Sequence, residues 1–215
     1  MGKVIVVSAH PDDMEIGMGG TVAKLVDQAI DVISVVITDG RRSSSPNLCD
    51  QDTIACVRKA EAGIAAKLLG ISKLEYLGLH DIETETNRTL AINFLIEKIH
   101  LYKPEGIYSL HPELDRHPTH RTAGTISLAS ALKAKFSGPI WGYEVWGLFN
   151  EWDRIEIIDS FIEKKASAIA MHKSQTTNMP YGEGVIGLNR WHAVFNDPAQ
   201  SKPAGKYAEV FKKLR

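Results

Sequence analysis

The chain has 215 residues, 44% of them hydrophobic, enough for one domain with a sizeable core. Its 25 basic and 26 acidic residues leave a formal net charge of -1. That balance removes the electrostatic basis for nucleic acid or an anionic membrane as the main partner, while a homo-oligomer stays compatible with it. Two cysteines, Cys49 and Cys56, have the spacing of neither a zinc site nor a disulfide framework. The apolar run before His10 is too short for a signal peptide, and no window approaches the roughly 18 apolar residues of a membrane span. The expected setting is therefore the reducing cytoplasm.

Residues 4–8 form a continuous β-branched run, the pattern of a strand buried on both faces. A helix is expected over 21–29, after the glycines at 17, 19 and 20, and a second strand over 31–38. The polar segment GRRSSSPN (40–47) reads as a loop. Apolar spacing predicts a helix over 52–69, stopped by Gly70, then a short strand over 74–77. A helix over 89–101 ends at Lys103-Pro104, a strand follows over 106–110, and a helix over 117–135 carries Pro118 in its first turn. Further on, 140–146 and 154–158 read as strands and 161–172 as a helix. Residues 176–206, rich in Gly, Pro and Asn, read as loop or lid.

This alternation implies an α/β fold with a mostly parallel sheet, helices on both faces and a smaller irregular C-terminal part. One domain is expected over 1–215, with an α/β core in 1–137 holding the site and a C-terminal extension or lid in 138–215. Binding in such folds lies outside the carboxyl ends of the strands. AHPDD, TDGRR and HPELDRHPTH follow the first, second and fourth strands of that core, so polar clusters converge on one sheet edge.

The first cluster crowds His10, Asp12, Asp13 and Glu15 at a strand end. Carboxylates near a buried edge are costly unless something positive neutralises them, and a divalent metal does so. Imidazole plus carboxylate suits zinc, whose catalytic sites commonly keep three protein ligands and an open position for water. Adjacent aspartates point apart, so one can bind metal while its neighbour faces the water. In the second cluster, His117 and His120 share one face at a helix start. One can ligate while the other reaches toward a substrate carbonyl and stabilises its oxyanion.

AHPDDMEIGMGGTVAKL and the downstream DRHPTH resemble the LmbE-like (PIG-L-type) N-acetylglucosaminide deacetylases, with further similarity in VRKAEAGIAAKLLG and MHKSQ. The resemblance implies a Rossmann-like fold and zinc-dependent removal of an acetyl group from an N-acetylglucosamine-type sugar. It makes His10, Asp13 and His120 the metal ligands and Asp12 the general base. It makes His117 the group that polarises the carbonyl, and Arg58 a sugar-binding residue. Two departures stand out. Thr119 replaces the aspartate of the family's HPDH, leaving Asp115 as the candidate support for His117. TDGRR replaces TxGE, which suggests a changed substrate that Arg41 and Arg42 could grip by a phosphate or carboxylate.

Other features have plainer readings. Glu15 suits a helix first turn, and His172 reads as a helix-end residue. Trp141, Trp146, Trp152 and Trp191 suit a core or interface, or the floor of a sugar cleft. One rival function is a metal-dependent amidase acting on a thiol conjugate. Another is a dinucleotide-binding module built on Gly17, Gly19, Gly20 and Asp39, although Asp12 and Asp13 would place negative charge beside its pyrophosphate.

Overall fold

The computed structural model describes residues 2–43, 50–177, 179–196, 199, 202–203 and 205–215. Cys49 and the end of the expected GRRSSSPN loop lie outside them. The elements in chain order are β1 (Lys3–Ser8), α1 (Asp13–Asp27), β2 (Asp31–Thr38), α2 (Gln51–Leu69), β3 (Lys73–Leu79), α3 (Glu85–Tyr102), β4 (Gly106–Leu110) and α4 (Pro118–Lys133). They continue with β5 (Ile140–Tyr143), β6 (Arg154–Ile157), a 3-10 turn (Asp159–Phe161), α5 (Ile162–Ala170), α6 (Lys173–Thr176), α7 (Tyr181–Val194) and β7 (Ala208–Lys213).

One sheet runs β3-β2-β1-β4-β5-β7-β6. Its first five strands are parallel, and β7 pairs antiparallel with both β5 and β6. The fully buried runs of β1, β2 and β4 are what a central parallel sheet requires, since helices cover both faces. Helices α1, α2 and α5 pack together, as do α3 and α4. The chain therefore leaves β1 in one direction for β2 and β3, then returns on its other side through β4 and β5. The two loops that follow β1 and β4 diverge at that reversal and open a crevice at the carboxyl ends. No helix of the described residues is long and apolar enough to cross a membrane.

The expected α/β architecture holds, with two local differences. The first helix begins at Asp13, not after the glycines, and runs through them with a break at Met18 (φ -145°, ψ 23°). The break frees the amides of Gly20 and Thr21, which donate to Glu209 Oε1 (3.0 Å) and Oε2 (2.6 Å). Lys165 Nζ closes the cluster at 2.6 Å from Glu209, with both side chains fully buried. At Gly20 a Cβ would lie 2.6 Å from Ile158 Cδ1, so a small residue is needed at this crossing. The glycines therefore pack helix to sheet, and their amides point at a protein carboxylate. That removes the dinucleotide-binding alternative.

The second difference lies in the C-terminal third. Residues 181–194, expected as loop or lid, form α7, which packs on β7 and α5. Strand β7, not foreseen, joins the same sheet as β1. Gly182, Gly184 and Gly187 lower helix propensity in isolation, and packing against the sheet overrides that penalty.

Candidate active site

The turn after β1 sets the floor of the crevice. Thr38, the last residue of β2, donates both its amide (2.9 Å) and its hydroxyl (2.7 Å) to the carbonyl of Ala9, fixing the start of the turn. Asp13 then enters α1, and its Oδ2 accepts the His10 amide at 2.8 Å. Its other oxygen faces inward, 3.2 Å from His120 Nε2 and 3.6 Å from His10 Nδ1. Those two nitrogens are 2.9 Å apart.

Zinc bonded at about 2.0–2.1 Å in tetrahedral geometry separates its ligand atoms by roughly 3.3 Å. The 2.9, 3.2 and 3.6 Å edges match that triangle. An imidazole pair with one carboxylate is also a donor set suited to such an ion.

Burial alone would raise the Asp13 carboxyl, but the imidazoles of His120 and His10 reverse this and hold it well below the usual carboxylate range. Burial would depress His120, yet Asp13 and Asp115 push it up to about 10.

The loop after β4 supplies the opposite wall. His117 caps α4 and Pro118 occupies its first turn, as the sequence requires. Asp115 organises this loop. Its Oδ1 accepts the His117 amide at 2.8 Å, and its Oδ2 lies 3.1 Å from His120 Nδ1 and accepts the Trp146 amide at 3.3 Å. The expected substitution of Asp115 for the missing aspartate beside His117 therefore does not appear as a ring contact. Asp115 orients His120, the usual role of a carboxylate behind a metal-ligating imidazole.

His117 Nδ1 is buried without a hydrogen-bond partner among the described residues. Burial, then the nearby His10 and His120, lower this imidazole to about 4. The three imidazoles each offer a nitrogen within 4.8 Å of the others. His117 thus borders the tighter triangle that contains Asp13.

Asp12 presents the other carboxylate to the crevice. Its Oδ1 accepts Arg58 Nη2 at 2.7 Å, and Arg58 Nη1 donates to the Gly40 carbonyl at 3.0 Å. Gly40 adopts a left-handed φ of +69°, and a Cβ there would lie 2.6 Å from Arg58 Nη1. Glycine in TDG is therefore what lets the buried guanidinium reach Asp12.

Around this floor lies a cleft of about 450 Å³. His10, Asp12, Asp13, Arg58 and His117 line it, as do Arg42, Thr119 and Trp146. Buried His120 stands just behind the floor, touching Asp13 and His10. Arg41 is absent from the lining and is bound to Asp39 (2.8 Å) and Asp52 (2.7 Å).

The structure also brings up residues the sequence left aside. His80, Asp81 and Glu83 follow β3 onto the cleft rim, and Gln175 and Tyr181 reach it from the C-terminal third. Glu15 and His172, read as helix-end residues, are buried against each other beneath the floor at 3.6 Å. Ser174 of MHKSQ donates its amide (2.8 Å) and hydroxyl (2.6 Å) to Glu61 on α2, seating this segment beside the cleft. Of the tryptophans, Trp146 alone lines the cleft, whereas Trp152 and Trp191 pack their edges around His192.

A crevice at the sheet reversal, floored by side chains that could hold a metal ion with a second carboxylate beside them, is a framework suited to a hydrolase. The chain matches the family described as PIG-L: GlcNAc-PI de-N-acetylase over residues 5–131, and it belongs to that family. It is 32% identical over 128 residues to the diacetylchitobiose deacetylase of Thermococcus kodakarensis, covering 59% of this chain and 48% of that protein. The match thus spans about half the length of that relative. It is 29% identical over 189 residues to a probable N-acetyl-α-D-glucosaminyl L-malate deacetylase of Bacillus cereus, covering 82% of this chain and 84% of the other. Its fold resembles the N,N'-diacetylchitobiose deacetylase of Pyrococcus horikoshii, solved with an inhibitor, at a TM-score of 0.84 and 25% identity over 99% of this chain and 83% of that one.

Proposed function

We propose that the chain is a zinc-dependent hydrolase that removes the acetyl group from an N-acetylglucosamine-type sugar or glycoconjugate in the cytoplasm. The observation that carries the reading is the triangle of His10 Nδ1, Asp13 Oδ1 and His120 Nε2 beside the Asp12 carboxylate, at the floor of a sugar-sized cleft. Family membership and the two deacetylase relatives support the class of reaction.

His10, Asp13 and His120 would hold the ion, with Asp115 fixing the His120 ring behind it. When bound, the ion supplies Lewis-acid activation of water and of the acyl oxygen. Asp12 is the general base: Arg58 secures its Oδ1, and Oδ2, with no partner among the described residues, takes the proton of the attacking water. His117, across the crevice, donates a hydrogen bond to the acyl oxygen as negative charge develops there. Attack forms the new C–O bond, and collapse of the adduct breaks the amide C–N bond as Asp12 passes the proton it took to the leaving nitrogen, releasing acetate and the sugar amine. Thr38, Gly40 and Asp115 hold these groups in place through the backbone, so little reorganisation accompanies the reaction.

The test is acetate release by zinc-loaded protein from a panel of N-acetylated amino sugars and glycosides. Release from at least one N-acetylglucosaminide, abolished by chelation and restored by zinc, is the expected result. A metal-loaded protein inert on the whole panel would refute the reading.

A further inference from the structure

The cleft is chemically two-sided, and the strand order sets the sides. Loops after β2 and β3 lie to one side of β1, and loops after β4 and β5 lie to the other. From the first side come Arg42, Ser43, His80, Asp81 and Glu83, all polar or charged. Gln175 joins them, with its Nε2 3.1 Å from Ser43 Oγ. Among the described residues, the apolar side chains that line the cleft are Ile16 in the first turn of α1, Pro118, Trp146 and Tyr181. Pro118 and Trp146 follow β4 and β5, and Tyr181 meets Trp146, so these three share the second side.

Trp146 dominates the second side. It is 46% exposed, whereas Asp12 and Asp13 at the floor are 7% and 2% exposed, so the indole stands at the mouth. An indole ordinarily buries its large apolar surface. Its backbone is nevertheless pinned. The Trp146 amide donates to Asp115 Oδ2 at 3.3 Å, the same oxygen that lies 3.1 Å from His120 Nδ1. A Cβ on Gly147 would lie 2.3 Å from the Leu114 carbonyl oxygen, so the loop lies flat against that segment. The Phe149 amide donates to Glu144 Oε1 at 2.5 Å, and the other oxygen of Glu144 lies 2.7 Å from His192 Nε2. The indole is thus held in place and left open. Tyr181 meets it edge to face, with ring centroids 6.2 Å apart and planes at 84°, which makes a right-angled aromatic corner.

A hexose or cyclohexane-like ring carries C–H groups on its faces, and these pack on an aromatic surface. An acetamide that reaches the floor leaves the rest of its molecule at the mouth, between the polar side and this corner. The hydroxyls of a projecting ring can then face the β2 and β3 loops while its C–H face meets the indole. Resting on the deacetylase reading, we propose that Trp146, with Tyr181 beside it, is a specificity-determining residue that stacks on a ring attached to the acetamide-bearing sugar. The substrate class is then a glycoside with a ring-bearing substituent, a second sugar or a cyclic aglycone, in preference to a simple monosaccharide. Because its loop is pinned, the corner is preorganised and loses little freedom on binding.

The test compares methyl N-acetylglucosaminide with its cyclohexyl counterpart, which adds a ring of C–H groups and no second acetamide, both supplied as α and β anomers to zinc-loaded protein. Acetate release gives kcat/KM for each, and calorimetry gives the binding of the deacetylated counterparts. The cyclohexyl compounds should be favoured by roughly tenfold in both measurements, the scale of one aromatic contact. Trp146→Ala keeps the backbone amide that Asp115 accepts, and it should erase the preference through KM with zinc content retained. Trp146→Phe keeps a ring and should retain most of the preference, and Tyr181→Ala should reduce it by less than Trp146→Ala does. A wild type without the preference would overturn the proposal, as would a preference unchanged in Trp146→Ala. If no compound releases acetate, the deacetylase reading falls, and the calorimetric preference still decides whether Trp146 binds the projecting ring.

Discussion

Metal loading should expel a proton from His120. Without an ion this imidazole sits between Asp13 Oδ1 at 3.2 Å and Asp115 Oδ2 at 3.1 Å. Burial disfavours its charge, but the two carboxylates prevail and push it up to about 10. A ligating imidazole must be neutral. At pH 7.5 the ion therefore displaces close to one proton from this residue, whereas a histidine of ordinary pKa near 6.5 would release about a tenth of one. Apparent zinc affinity should therefore rise as pH increases above neutrality, by up to about tenfold per pH unit. The raised pKa also means that the metal-free fold has the full stabilisation from this group below about pH 6.5 and loses it as pH rises through about 10. Calorimetric zinc titrations in buffers of differing ionisation enthalpy count the protons released. Asp115→Asn should reduce the count and weaken zinc binding by roughly 10- to 100-fold. A wild-type titration whose heat does not depend on the buffer would refute this account of His120.

Two further outcomes follow from named contacts. Thr119→Asp restores a carboxylate in the loop of His117, whose Nδ1 lacks a partner. A nearby negative charge favours the protonated ring, so the His117 titration followed by NMR should move up from about 4, and an unmoved titration would count against a carboxylate at 119 reaching this ring. Glu209→Gln removes the carboxylate paired with buried Lys165 and weakens acceptance from Gly20 and Thr21. It should cost about 3–5 kcal/mol in thermal unfolding, and a loss under about 1 kcal/mol would contradict the assigned role of this cluster.

The parallel half of the sheet and the two histidine-aspartate turns were legible in the sequence because local pattern decides them. β-Branched runs mark β1 and β2, and Pro118 marks the start of α4. Helix α7 was not legible, because Gly182, Gly184 and Gly187 mask its period and its stability comes from β7 and α5. Strand β7 was missed for a related reason. Its sequence, AEVFKK, looks half-exposed, and Glu209 becomes a buried residue only through Lys165 and the amides at the break in α1. Distance in the chain likewise hid the Glu15–His172 pair and the partnership of Asp12 with Arg58. His80, Asp81 and Glu83 carry no motif, and only the path of β3 brings them to the cleft. Asp115 was recognised as a supporting residue, but which histidine it orients depends on side-chain directions that spacing does not encode.

The division of labour between the two adjacent aspartates is the centre of the account, and Asp12→Asn tests it most directly, with zinc content and acetate release measured on the same preparation. The account predicts wild-type zinc content, because His10, Asp13 and His120 are untouched, with turnover lower by two or more powers of ten, on the order expected for loss of a general base. An active variant would contradict the assignment of Asp12 as the base, and a variant that loses its zinc would contradict the ligand set.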